Sequence, residues 1–273
     1  MSAPEIRQRG FTLTEMAVVF TIVVLLLSSV TYTLTAQMEN RAVADTQRRL
    51  QDARELLISY AMVNGRLPCP ASTASNGDES PAGTGVCGTN GYSGYLPAKA
   101  IGFTPVDLQG YAVDFWGNRI RYAVSINSNM GANPDYTFTT PPSSPSTGIK
   151  YNFGGASALV PKDLLVCTSY IGGSITTTAP SCGTGLAATN QDTVVAVVWS
   201  QGKNFSRGNF NGFAGQAGVD EAFNNKVDPT TIHGVFIAHE ARWEFQTNEF
   251  DDLVVWLPVN LLYGRMVAAG VLP

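Results

Sequence analysis

An uncharged run from Met16 to Met38 constrains this chain more than any other feature. At roughly 1.5 Å per residue it makes a helix of about 34 Å, against a membrane hydrocarbon core of about 30 Å. Val18, Val19, Ile22, Val23, Val24, Leu25, Leu26 and Leu27 leave its middle without a polar face, unlike the one-sided pattern of a globular surface helix. Arg7 and Arg9 precede the run and a polar domain follows it, which orients the N-terminus to the cytoplasm. An ordinary signal peptide shares this basic head and apolar middle, and Thr33 to Ala36 is its weak cleavage site. Glu15 separates the two readings. A carboxylate at the mouth of a membrane segment is costly, and it calls for a partner.

The stretch Gly10-Phe11-Thr12-Leu13-Thr14-Glu15 followed by an apolar helix resembles the processing and methylation signal of type IV pilins and type II secretion pseudopilins. That resemblance implies cleavage by a prepilin peptidase between Gly10 and Phe11, with residues 1–10 removed as a leader and Phe11 then N-methylated. It also implies a subunit held in the inner membrane, domain outward, that later joins a filament. Cleavage creates a positive amine at Phe11, one helical turn from Glu15. In a packed filament, Glu15 of one subunit pairs with the Phe11 amine of its neighbour, because each charge is expensive alone in apolar surroundings. Many family members carry a glycine and a proline near the positions of Val24 and Tyr32. This chain has neither, so its helix is expected to be straighter.

The helix is expected to continue past the membrane segment (11–38) into an amphipathic half (39–64). Gln37 to Val63 contains no glycine or proline, and Val43, Thr46, Leu50, Ala53, Leu57 and Tyr60 recur at spacings of three and four. Charges fill the other faces, with Arg48 and Asp52 placed as an i,i+4 pair. Asn64-Gly65 and then Pro68 read as the stop.

Residues 65–273 are rich in Gly, Ser, Thr, Asn and Pro and low in charge. Strands are expected within Arg119–Ile126, Leu164–Tyr170, Thr193–Trp199, Gly234–Ala238 and Leu253–Leu257, with a short helix over Asn260–Ala269. The fold class is α+β: a pilin-like lollipop in which the long N-terminal helix packs on one C-terminal antiparallel sheet domain with long loops. The loop from Lys203 to Gly218, with Asn204, Asn209 and Asn211, reads as a turn-rich insertion or as a binding loop.

Four cysteines fall in two local pairs, Cys69 with Cys87 and Cys167 with Cys182. An even count in a domain outside the cytoplasm favours disulfides. Zinc is the alternative, but there is no Cys-x-x-Cys and no adjacent histidine cluster. Three pairings are open, and the sequential one is the most local.

Four further segments resemble, in the same order, those of the major pseudopilin of type II secretion. They are Gly65-Arg66-Leu67-Pro68 at the helix exit, Asp114-Phe115-Trp116-Gly117-Asn118 with Tyr122, Trp199-Ser200-Gln201-Gly202-Lys203-Asn204, and Phe250-Asp251-Asp252-Leu253. In that protein the last two loops bind calcium. The resemblance therefore implies calcium, a hard cation that takes oxygen ligands, held by Asp251 and Asp252 with Ser200 or Gln201 nearby. Asn204 stands where the family has an acid, and the interval to Asp251 is longer. Trp116 is read as packing its turn against the core.

An enzyme reading finds little support. His233 and His239 are the only histidines, and neither a metalloprotease helix, a nucleophile elbow nor a phosphate loop is present. A net charge of −4 and a pI near 5.2, with no basic stripe outside the long helix, argue against nucleic-acid binding. Two classes remain. One is a structural pseudopilin or minor pilin that supports secretion or pilus assembly. The other is a filament-tip adhesin that binds through its loops.

Overall fold

The computed structural model describes residues 12–87, 91–129, 137–142, 148–153, 158–176, 179–203, 205, 219–225, 233–241 and 250–273. For residues 29–36, 151–152 and 222 it describes the backbone alone. The chain divides into two compact units, Met1–Ala44 and Asp45–Pro273.

One helix, α1 (Leu13–Asn64), runs through both units as a single 52-residue element. In the first unit its described apolar side chains, from Met16 to Leu27, all face solvent. Among the described residues, no helix is long and apolar enough to cross a membrane. The side chains of 29–36 fall outside that description, so the described apolar stretch stops at Ser28. In the second unit the three-four spacing does what it predicts: Thr46, Leu50, Ala53 and Leu57 are buried, and Arg48 and Asp52 form an exposed i,i+4 pair at 3.7 Å. α1 ends at Asn64 because Gly65 takes a left-handed φ of 69° while its N–H still bonds Ala61 O at 2.8 Å.

The second unit is layered around a four-stranded antiparallel sheet in the order β1 (Gly94–Tyr95), β2 (Arg121–Val124), β4 (Val194–Ser200), β6 (Leu253–Pro258). The central strand, β4, is an unbroken apolar run buried at every position, as a strand covered on both faces must be. On one face Tyr122, Val124 and Val198 meet Leu50, Ala53, Leu57 and Ala61 of α1, with Leu262 and Met266 of α5 (Val259–Ala268) closing the same core. On the other, Ala123, Val197 and Trp199 meet Leu164, Val166 and Phe236. Those last residues belong to β3 (Leu165–Cys167), β5 (Val235–Ile237) and their flanks.

Here the structure departs from the single antiparallel sheet expected. β3 and β5 form a separate two-stranded pair, and it is parallel. A parallel pair needs a long crossover, and the crossover here carries β4 through the main sheet and then α4 (Val219–Asn225). The outer side of the pair has its own cluster of Leu165, Cys167, Val235, Ile237 and Phe250, with Phe223 of α4 packed against it. Two further short helices, α2 (Ala98–Ile101) and α3 (Gly148–Asn152), were not expected from periodicity, because one turn is too short to show a period.

Both disulfides form, Cys69–Cys87 and Cys167–Cys182, so of the three open pairings the sequential one is realised. The first closes a loop organised by a buried ion pair. Glu79 accepts from Arg66 Nη1 at 2.9 Å and Nη2 at 2.6 Å, and from the N–H groups of Cys69 and Gly83. Burial alone would raise the Glu79 carboxyl, but Arg66 and these N–H donors outweigh it and hold it below the usual range.

Candidate functional site

Two places carry chemistry. The first is the start of α1. Gly10 and Phe11 lie outside the described residues, but the next turn is defined. Glu15 Oε2 accepts from the Thr12 N–H at 2.8 Å and from Thr12 Oγ1 at 2.9 Å. Thr12 Oγ1 in turn accepts from the Glu15 N–H at 3.3 Å. This is a reciprocal capping box, a Thr-x-x-Glu pair that satisfies orphan donors at a helix N-terminus. Thr12-Leu13-Thr14-Glu15 spells that motif in the sequence, and it gives the Glu15 carboxylate partners within its own first turn in addition to the outside partner expected for it.

The second place lies at one end of the main sheet, where three of the four motif segments meet. Asp114 begins the turn before β2. Its carboxylate accepts from Asn118 N–H at 2.8 Å and from Ser200 Oγ, at the end of β4, at 2.6 Å. Asn118 Nδ2 donates to Gly202 O at 2.5 Å. From the other side, Arg49 Nη1 of α1 donates to Val113 O and Asp114 O at 3.0 and 2.8 Å, and Phe115 N–H donates to Thr46 Oγ1 at 3.2 Å. Asp114 is thus a brace between α1 and the end of β4, and burial pushes its carboxyl up. Trp116 is only half-buried and stands edge-on to exposed Phe115. The turn is anchored by its aspartate rather than by the tryptophan expected to pack it.

Because β4 and β6 run antiparallel with Ser200 opposite Leu253, the two residues before β6 arrive beside the Ser200–Lys203 turn. Asp251 Oδ2 accepts from Lys203 N–H at 2.7 Å. Gly202 makes that approach possible: its φ is 66°, and a Cβ there would sit 2.1 Å from Asp251 Oδ1. Asp252 Oδ2 accepts from Asn224 Nδ2 of α4 at 2.9 Å. Asn224 also exchanges two 2.8 Å hydrogen bonds with the backbone of Ile237, which fixes α4 on β5.

The result is a group the sequence did not foresee. Glu221, Asp251 and Asp252 are 8%, 4% and 4% exposed, and each brings a carboxylate oxygen within 4.8 Å of the others. Burial, and then the charge of Asp251, push the Asp252 carboxyl well above the usual range. The Oδ1 of Asp252 is buried with no hydrogen-bond partner among the described residues. An all-oxygen donor set with an orphaned buried oxygen fits a hard divalent cation. Of the residues expected at a cation site, Asp251 and Asp252 come together. Ser200 is committed to Asp114 instead, and Gln201 Nε2 bonds Asn225 Oδ1 at 3.1 Å. Asn204, Asn209 and Asn211 lie outside the described residues. No signal links Glu221 to Asp251 in the sequence, since the two are joined only through the packing of α4.

The histidines are satisfied structurally. His233 Nδ1 accepts from the Val235 N–H. His239 stacks on Phe250, with Nε2 at 3.3 Å from Asp220.

No curated protein and no solved structure matches the chain. Residues 6–31, which take in the Gly10-Phe11 junction, Glu15 and the apolar run as far as Thr31, match the family model of the prokaryotic N-terminal methylation motif, and this supports a type IV pilin-like N-terminus.

Proposed function

We propose that this chain is a non-enzymatic structural subunit, a pseudopilin or minor pilin, of a type II secretion pseudopilus or a type IV pilus-like filament. The observation that carries the reading is the methylation motif at residues 6–31, with Glu15 held at the first turn of the helix that follows it. A prepilin peptidase cuts between Gly10 and Phe11, and Phe11 is N-methylated. Residues 11–38 anchor the subunit in the inner membrane, N-terminus cytoplasmic, until it passes into the filament. Glu15 then pairs with the Phe11 amine of a neighbour. Two disulfides agree with a domain that matures outside the cytoplasm. The test is mass spectrometry of the mature N-terminus. A methylated Phe11 is expected; any other start sinks the reading.

Within that frame, Asp251 and Asp252 hold a divalent cation, calcium by the resemblance to the major pseudopilin. Bound there, the cation neutralises buried carboxylates that otherwise repel.

One observation favours a second role at a filament tip. The loop closed by Cys167–Cys182, with its flank, exposes Ile171 and Leu186 to solvent, and apolar side chains on a stapled loop suit adhesion. Stoichiometry in purified filaments separates the two: a tip adhesin is present at a few copies and its deletion abolishes adhesion without stopping secretion.

A further inference from the structure

We propose that Glu221, presented by α4, is a third carboxylate ligand of the cation held by Asp251 and Asp252, so that cation binding fastens α4 to the start of β6. This rests on the cation reading above and extends it to a residue outside the motifs that suggested it. Distance is the first argument. At calcium–oxygen separations of 2.3–2.6 Å, two ligand oxygens on opposite sides of one ion stand at most about 5 Å apart. One oxygen from each of Glu221, Asp251 and Asp252 lies within 4.8 Å of the others. The second argument is the spare oxygen of Asp252. Its Oδ2 is taken by Asn224, while Oδ1 is buried without a hydrogen-bond partner among the described residues. Such an atom points to a ligand.

Helix geometry explains how Glu221 gets there. Glu221 and Asn224 are three residues apart on α4 and so share a face. Asn224 is tied to Asp252 and to both backbone groups of Ile237. Fixing Asn224 turns the same face of α4, and with it Glu221, toward the two aspartates. Phe223 points elsewhere, onto Tyr170 and His233. A ligand on α4 couples the segment between β4 and β5 to the sheet, which two adjacent aspartates cannot do alone.

The experiment uses the full chain in detergent, stripped with EGTA and titrated with calcium chloride by calorimetry. Amide hydrogen exchange of residues 219–225 is followed in parallel. Wild type is expected to bind calcium and to gain protection in α4. Glu221→Gln is expected to weaken binding by about tenfold or more, since affinity follows ligand charge count, and to lose the calcium-dependent protection. Its melting temperature in EGTA should match or exceed wild type, which shows that the fold survives. Glu221→Asp should fall between the two. Equal affinity and equal protection in Glu221→Gln would overturn the role of Glu221 and leave the aspartate site standing. Absence of calcium binding by wild type would overturn both.

Discussion

Thr12 and Glu15 cap one another at the start of α1, with Thr12 N–H and Oγ1 both donating to Glu15 Oε2 and Glu15 N–H donating back to Thr12 Oγ1. The carboxylate proposed to receive a neighbour's amine is therefore already oriented within its own subunit. Losing a Thr cap typically costs about 1 kcal/mol. Thr12→Ala should leave cleavage intact and lower the amount of subunit in sheared filaments, whereas Glu15→Val should nearly abolish incorporation. Immunoblots of sheared filaments, beside N-terminal mass spectra, report both steps. Normal incorporation of Glu15→Val would remove the pairing from the account.

The buried Arg66–Glu79 pair is expected to dominate the stability of the loop after α1. Removing one partner of a buried pair typically costs about 3–5 kcal/mol, so Glu79→Ala should lower the denaturation midpoint by that equivalent. The sign of its pH dependence follows from the direction of the shift. The folded carboxyl titrates below the ordinary 4.5 of glutamate. Its stabilisation is thus fully present above about 4.5 and is lost as pH falls through the lowered value. Denaturant melts from neutral to acid pH should show a shallower acid limb in Glu79→Ala.

Cys69–Cys87 encloses Glu79, and Glu79 accepts from the Cys69 N–H at 3.2 Å. Closing a loop of this length typically contributes about 3 kcal/mol. Replacing both cysteines by serine should cost about that much. Because the bridge and the ion pair order the same loop, the combined variant should lose less than the sum of the two. A double-mutant cycle on melting curves measures the difference, and strict additivity would count against the shared loop.

Asp114→Ala should separate the turn before β2 from the end of β4. It strands the Ser200 hydroxyl and the Asn118 N–H, each buried, at about 1–3 kcal/mol for each unsatisfied group. Trp116→Ala, at a half-buried side chain, should cost less. The reverse order in a thermal melt would restore the tryptophan as the anchor.

Much of this protein was legible in the sequence because its signals are local. The stripe Thr46, Leu50, Ala53, Leu57 and the Asn64-Gly65 stop depend only on helical period and on a left-handed glycine. The apolar run of β4 likewise needs no knowledge of distant residues, whereas the cysteines left three pairings open until the structure realised the most local one. What stayed hidden depends on which elements become neighbours. A parallel β3–β5 pair cannot be told from an antiparallel one by its run of buried residues, because pairing direction lies in the crossover. The hydrogen bond from the Ser200 hydroxyl to Asp114 joins residues 86 positions apart, which no local pattern signals.

The sequence by itself determined that an apolar run follows Glu15, that the helix carrying it stops at Asn64-Gly65, and that two aspartates precede β6; the reciprocal cap between Thr12 and Glu15 came from the structure. Tertiary structure alone decided that Glu221 joins those aspartates. Its position follows from Asn224 docking α4 on the backbone of Ile237, a contact across thirteen residues of chain. No residue-level pattern encodes that distance, because it is set by how the layers pack.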